Sequence, residues 1–375
     1  MLYVTRLLKN IAMLAMVLGS FACDQAIKNF VKLDAQTALP ARTTSPKTPA
    51  IPPTQDPSLA YALGVLNNNT LIVKQINKLT GAAKTIQSFA LAGSFSDFQL
   101  VKNNTRILVQ VDGYKLYHYG LDNTTSPPTI SLLSSAQVPT APGGMGGICA
   151  PPDGTSAHLV AYSSNIIYSF KVSATDQVSY VGLNNQVPDY VVDCRVTQNS
   201  KYLLAAGFNQ GAASFSIDST TGALIKLMSA PSGNGPAWIE QSEDSQFFFV
   251  PSQNDDSVQA FHVDLATGLF NLVDTLSLPG AGFDFIDVRA NGTHLYIDGQ
   301  SGSVYHLTFD RTTMKFGSSS IVSNITDWFT LDKLSNFYFQ NKISNTNIML
   351  INADGSLSAT PTTFTSENNF HTYSF

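Results

Sequence analysis

The chain has 375 residues, of which only 13% are charged, with a formal net charge of −5 and a pI near 5.6. No run of Lys or Arg offers a track for phosphates, which argues against nucleic acid as a partner. Phe and Tyr number 23 and 14 beside 25 glycines, the balance of many short, half-buried strands joined by tight turns.

The amino terminus reads as an address. Arg6 and Lys9 precede an almost unbroken apolar run over residues 11–21, and Ser20-Phe21-Ala22-Cys23 follows. This layout predicts a signal peptide over residues 1–22 and is short for a membrane-spanning helix. Cys23 resembles the acylated cysteine of bacterial lipoproteins, although Ser20 stands where that family carries Leu and Phe21 where it carries a small residue. Without acylation the same segment directs simple secretion. The expected location is therefore the bacterial cell envelope or periplasm, with a lipid on Cys23 as the membrane anchor. Residues 23–57 hold Pro40, Pro46, Pro49, Pro52, Pro53 and Pro57 among Thr, Ser and Ala, the composition of an extended, disordered linker.

Residues 58–375 are built on a repeat. A strand-like run ends at Asn77, Asp122, Ser173, Asp218, Asp264, Asp310 and Asn352, with spacings of 45, 51, 45, 46, 46 and 42 residues. Six copies carry apolar residues one and three places earlier, as in Ile217/Phe215 and Val263/Phe261, while the first keeps only Ile76. Such a period, made of alternating strands, predicts an all-β propeller. The clearest unit has strands at 237–241, 246–250, 257–263 and 270–276, punctuated by Glu243-Asp244-Ser245, Asn254-Asp255-Asp256 and Ala266-Thr267-Gly268. The first unit offers three strands, at 61–66, 71–76 and 83–89, and residues 370–375 form a strand with no following partner. Closure by that carboxy-terminal strand yields seven four-stranded blades and leaves no long open edge.

Cys149 and Cys194 stand 45 residues apart, almost one repeat, each in the first strand of its unit. Equivalent strands of adjacent blades are neighbours, so in an oxidising compartment a disulfide is one reading; two buried apolar thiols are the other.

The repeated phrase, as in Ile217-Asp218-Ser219-Thr220-Thr221-Gly222-Ala223-Leu224 and Val263-Asp264-Leu265-Ala266-Thr267-Gly268-Leu269, resembles the seven-bladed lactonase-like propellers. That family includes 6-phosphogluconolactonases and muconate-lactonising enzymes. Pro152-Asp153-Gly154 and Ala290-Asn291-Gly292 resemble its turn between the first two strands. The resemblance implies histidines a few residues before an early Pro-Asp-Gly turn, but this chain reads Gly143-Gly144-Met145-Gly146-Gly147-Ile148 there. It implies Gly-Pro-Arg-His in a later blade, the arginine binding an anionic substrate, where this chain has Gly235-Pro236-Ala237-Trp238. It also implies a Glu after the second strand of that blade, where Ser252-Gln253-Asn254 stands. Gln253 cannot exchange a proton as a carboxylate does. The expected catalytic set of the family is therefore absent, and no catalytic residue is assigned.

Other chemistry has little support. His118, His262 and His306 occupy related places on third strands, where alternation with apolar neighbours predicts solvent-facing positions. No short-spaced His or Cys pair suggests a metal, no Gly-x-Ser-x-Gly elbow suggests a serine hydrolase, and no cofactor is implied. One constellation remains. Trp238, Phe283 and Trp328 recur at intervals of 45 residues, with Tyr190 in the preceding unit, each opening the first strand of a blade. Asp284, Asp287 and Arg289 accompany them. Grouped at the mouth of a central channel, such residues suit a sugar, a peptide or another cyclic ligand; alternatively, the aromatics wedge adjacent blades together. The reading is a binding module for an unknown protein or small molecule at that mouth. The rivals are a lactonase-like hydrolase using Asp284, Asp287 and Arg289, and a structural protein of the envelope.

Overall fold

The computed structural model describes residues 59–372 apart from 67–68, 78–82, 123–127, 140–146, 162–164, 188–189, 209–210, 237, 280, 289–291, 300–301, 325–328, 333–336, 342–344, 353, 359–361 and 366–369. Cys23, the leader and the linker lie outside the described residues, as do Arg289 and Trp328.

The described residues form 28 strands in seven four-stranded antiparallel sheets. The first joins β1 (Leu59–Leu66), β2 (Thr70–Asn77) and β3 (Ala83–Ala90) to β28 (Phe370–Thr372). The second holds β4 (Phe95–Val101), β5 (Arg106–Val111), β6 (Lys115–Asp122) and β7 (Thr129–Gln137), and the third β8 (Ile148–Cys149), β9 (Ser156–Ala161), β10 (Ile166–Val172) and β11 (Val178–Asn184). The fourth comprises β12 (Val191–Val196), β13 (Tyr202–Gly207), β14 (Gly211–Ile217) and β15 (Leu224–Ala230). The fifth comprises β16 (Glu240–Gln241), β17 (Phe247–Ser252), β18 (Ser257–Val263) and β19 (Phe270–Ser277). The sixth has β20 (Phe283–Val288), β21 (His294–Gly299), β22 (Ser303–Asp310) and β23 (Lys315–Asn324), and the seventh β24 (Phe329–Asp332), β25 (Phe337–Asn341), β26 (Asn345–Leu350) and β27 (Thr362–Thr365). The arrangement is propeller-like. First strands follow one another side by side, β4 against β8, then β12, β16, β20 and β24, while β28 lies against β25.

The core lies between sheets rather than inside any of them. Trp238, Phe247 and Phe249 of the fifth sheet share one buried cluster with Phe283, Leu295, Ile297 and Phe309 of the sixth. Similar clusters join the second sheet to the third, the third to the fourth, the fourth to the fifth and the sixth to the seventh. Second strands are consequently covered on both faces: β9, β13 and β17 are buried along their whole length. That is why they read as near-continuous apolar runs instead of alternating ones. It also corrects the solvent-facing expectation for two of the three third-strand histidines, His262 being half-buried. His118 is 0% exposed and His306 7%, because the polar face of a third strand is covered by the neighbouring sheet, not by water.

Outer strands behave differently, with an exposed and half-buried alternation in β7, β15 and β19. In six sheets the outer strand carries one extra residue opposite the third strand, at Ile86, Leu133, Val181, Leu227, Val273 and Val322. All six are apolar. The bulge turns the chain so that Val273 and Val322 pack onto the clusters between sheets, and it blunts an edge that carries few charges.

The repeated Asp closes the turn into the outer strand of the fourth, fifth and sixth sheets. The Asp218 carboxylate accepts from the Thr220 and Thr221 amides at 2.9 and 2.7 Å and from the Thr221 hydroxyl at 3.0 Å. Gly222 follows at φ +79°, which a side chain would resist. Asp264 and Asp310 repeat the arrangement with Thr267 and Thr313. The phrase that defines the repeat is thus self-sufficient turn chemistry.

Candidate functional site

The first strands carry carboxylates in one register. Asp193, Glu240 and Asp287 follow one another at intervals of 47 residues, and Asp97 holds the same place two repeats earlier. Each of Asp97, Glu240 and Asp287 accepts from the amide of the next residue, at 2.8, 2.9 and 2.8 Å. In Asp97 and Asp287 the second oxygen then reaches the following sheet. Asp97 accepts from the Ile148 amide at 3.0 Å and Asp287 from the Leu331 amide at 2.9 Å. Gln99 adds a two-way clasp, accepting from the Ala150 amide at 2.7 Å and donating to its carbonyl at 3.1 Å.

Arg195 on β12 breaks this pattern. Its guanidinium pairs with Asp193 at 2.9 Å and with Glu240 of the next sheet at 3.0 Å, and lies 5.8 Å from the centre of the Trp238 ring. Burial works against its charge, yet the Asp193, Glu240 and Asp97 carboxylates outweigh that and hold it above its ordinary range. A guanidinium so engaged is a strut between sheets, with little capacity left to clamp an incoming anion.

The expected ligand residues separate in this setting. Tyr190 is 42% exposed just ahead of β12, in left-handed backbone at φ +45°, its amide donating to Asn165 Oδ1 at 2.7 Å. Trp238 and Phe283 are 7% and 0% exposed and share the cluster between the fifth and sixth sheets, Phe283 meeting Tyr305 edge-on at 5.4 Å. Asp284 lies in β20, and Asp287 is the inter-sheet clasp described above. Asp97, Asp193 and Arg195 were not singled out from the sequence; the interval of 47 residues from Asp193 through Glu240 to Asp287 was the available signal. Cys149 and Cys194 form a disulfide with a Cα–Cα distance of 5.9 Å, joining β8 to β12 beside Asp193 and Arg195.

The stretches that the lactonase resemblance aligned with catalytic residues do meet in space. Pro236 bridges Ser252, and the Gln253 amide donates to the Gly235 carbonyl at 2.9 Å. Asn234 donates its amide to Asp255 at 2.6 Å, and Asn254 reaches the Asn234 side chain at 3.4 Å. The juxtaposition is present, but carboxamides and Trp238 occupy it. The glycine stretch at 143–146 lies outside the described residues.

Another junction collects charge on the turn side of the fold. Asp176, between β10 and β11, pairs with Lys102 at 2.6 Å and with Arg106 at 2.8 Å in the second sheet. Desolvation raises its carboxyl, but the two cations prevail and bring it down to about 2. Its carbonyl also meets His118 Nδ1 at 3.0 Å.

No family model and no curated protein sequence matches this chain. Solved structures do. A candidate 6-phosphogluconolactonase from Bacteroides fragilis superposes with a TM-score of 0.67 at 16% identity, over 85% of this chain and 98% of its own. A second, from Bacteroides uniformis, gives 0.67 at 15% identity over 84% and 98%. A periplasmic gluconolactonase from Pseudomonas aeruginosa gives 0.65 at 14% identity over 84% and 99%. The structural neighbours are thus 6-phosphogluconolactonase-like proteins, and what this chain shares with them is the fold.

Proposed function

We propose that this chain is an exported, lipid-anchored, seven-bladed propeller, closed by its carboxy-terminal strand, that binds a ligand or protein partner and does not hydrolyse lactones. One observation carries the reading. The strand start that resembles the lactonase anion site holds Trp238 over Arg195, and that arginine is pinned by Asp193 and Glu240. Acyl transfer from a lactone needs a positioned base and charge stabilisation for the developing oxyanion. Gln253 and Asn254 supply neither a base nor a full positive charge. Closure is supported by β28 pairing with β1 through Gly64/Thr372, Val65/His371 and Leu66/Phe370. Export is supported by the leader pattern up to Cys23.

The test is hydrolysis of gluconolactone and its 6-phosphate at neutral pH, with spontaneous opening subtracted. The binding reading expects no rate above buffer. A rate above buffer that scales with protein concentration would replace it with the second reading, a lactone hydrolase, which the lactonase-like neighbours favour. Anchoring has its own check: Cys23→Ser should move the protein from the membrane fraction to the soluble one.

A further inference from the structure

The seams between sheets are closed by unlike chemistry. Asp176 on Lys102 and Arg106 closes that between the second and third, and Arg311 on Asp244 that between the fifth and sixth. Where the sixth sheet meets the Gly355 turn of the seventh, it presents two histidines. His294 on β21 and His306 on β22 meet with Nδ1 and Nε2 2.9 Å apart, their rings near-parallel at 16° and centred 5.1 Å from each other. The turn of the seventh sheet that carries Asp354 and Gly355 closes over them, so tightly that a Cβ at Gly355 would collide with both rings. Tyr296 lies against His306 at 5.1 Å and donates its hydroxyl to the Gly355 carbonyl at 2.6 Å. His306 is 7% exposed. Asp354 faces His306 from the turn, and Tyr296 joins His294 in facing it from β21.

A hydrogen bond between two imidazoles needs one ring nitrogen carrying hydrogen and the other bare. The pair therefore tolerates no proton or one added proton. A second leaves two donors facing each other, both cationic, in a contact closed by Gly355. Asp354 can offset one positive charge but not two. We propose that the His294–His306 pair is an acid-sensitive latch, which holds the turn carrying Asp354 and Gly355 on the sixth sheet while at most one added proton is bound and releases it when both rings are protonated. With the turn released both rings meet water, where histidine takes up a proton below pH ~6.5, so acidification below that value favours the released state, a condition an exported protein can meet.

Amide hydrogen exchange on the full chain tests this at about pH 7.5 and about pH 5, corrected for intrinsic rates. Within the turn, Asn352 N donates to Ser356 O at 2.8 Å and Gly355 N to Asn352 O at 3.0 Å; once the cover of the sixth sheet is lost these short bonds fray into solvent, which makes those amides the reporters. Asp218 and Gly222, in the equivalent turn of the fourth sheet, are the controls. Protection at Asn352 and Gly355 should fall on acidification about tenfold more than at the controls. His294→Asn and His306→Gln should each abolish that difference. Equal loss in both turns, or a difference that persists in either folded variant, overturns the latch. Should neither variant fold, the wild-type comparison stands, joined by ring resonances: two histidines that each take up a proton while the turn stays protected also overturn it.

Discussion

Tyr202 donates its phenolic hydrogen to the carbonyl of Ala266, 2.7 Å away across the seam between the fourth and fifth sheets. The ring lies beneath Gly268, where a Cβ would strike it, and Gly268 itself holds φ +74°. The repeated turn is therefore also a hook on the preceding sheet. Tyr202→Phe, which removes only the bond, should cost about 1 kcal/mol in urea unfolding. Gly268→Ala combines left-handed strain with the collision and should cost more, about 2 kcal/mol.

Asp176 makes the equivalent seam pH-dependent. Desolvation opposes its ionised form, but Arg106 and Lys102 lower its carboxyl from 3.8 to about 2. A carboxyl depressed in the folded state gives stability that is complete above its unfolded value and is lost as pH falls towards about 2. Asp176→Asn should therefore destabilise by roughly 2 kcal/mol near neutrality and have little effect near pH ~2. Unfolding curves of both proteins across that range provide the check.

His158 adds acid sensitivity of another origin. Burial alone lowers its imidazole from 6.5 to about 3, with Ser156 and Ser169 hydroxyls 3.3 and 3.1 Å from its ring nitrogens. The unfolded chain binds a proton there that the folded one refuses, so stability falls as pH drops from 6.5 towards about 3. His158→Gln keeps hydrogen-bonding capacity without the charge. Its stability should fall less steeply with pH over this interval than that of the wild type.

The disulfide between Cys149 and Cys194 closes a loop of 45 residues. Loop-closure entropy for that length stabilises by about 4 kcal/mol. Cys149→Ser with Cys194→Ser, or thorough reduction under denaturing conditions, should lower the thermal midpoint accordingly. An unchanged midpoint would mean that packing of the two first strands suffices alone.

Removing residues 370–375 takes away β28, which pairs with β1 and lies against β25, and leaves β1 as an open edge. Such a long apolar edge favours aggregation. The truncated chain should be recovered mainly as insoluble material. A soluble product melting like the full chain would show that closure contributes little.

The legible part of the fold was local. The strands at Ser257–Val263 and Val191–Val196 carry their boundaries in plain alternation and turn residues, and the Asp-Thr-Gly phrase is complete within eight residues. The third-strand histidines show where that reading stops. Their polar-apolar alternation is real, but both faces of β6 and β22 are covered, so His118 and His306 are buried. For Trp238 and Phe283 the spacing leaves two readings open, channel aromatics or wedges between blades, and their shared cluster between the fifth and sixth sheets is the wedge arrangement.

By itself the sequence determined the repeat, the all-β class and the turn chemistry, because each depends on residues within one strand and its turn. Only the tertiary structure decided that Arg195 belongs to Asp193 and Glu240, that Asp97 and Asp287 fasten neighbouring sheets, and that His294 meets His306 under Gly355. Most of those partners come from different repeats. A period fixes what is the same in every unit, whereas contacts between units depend on which particular side chains the packing brings face to face.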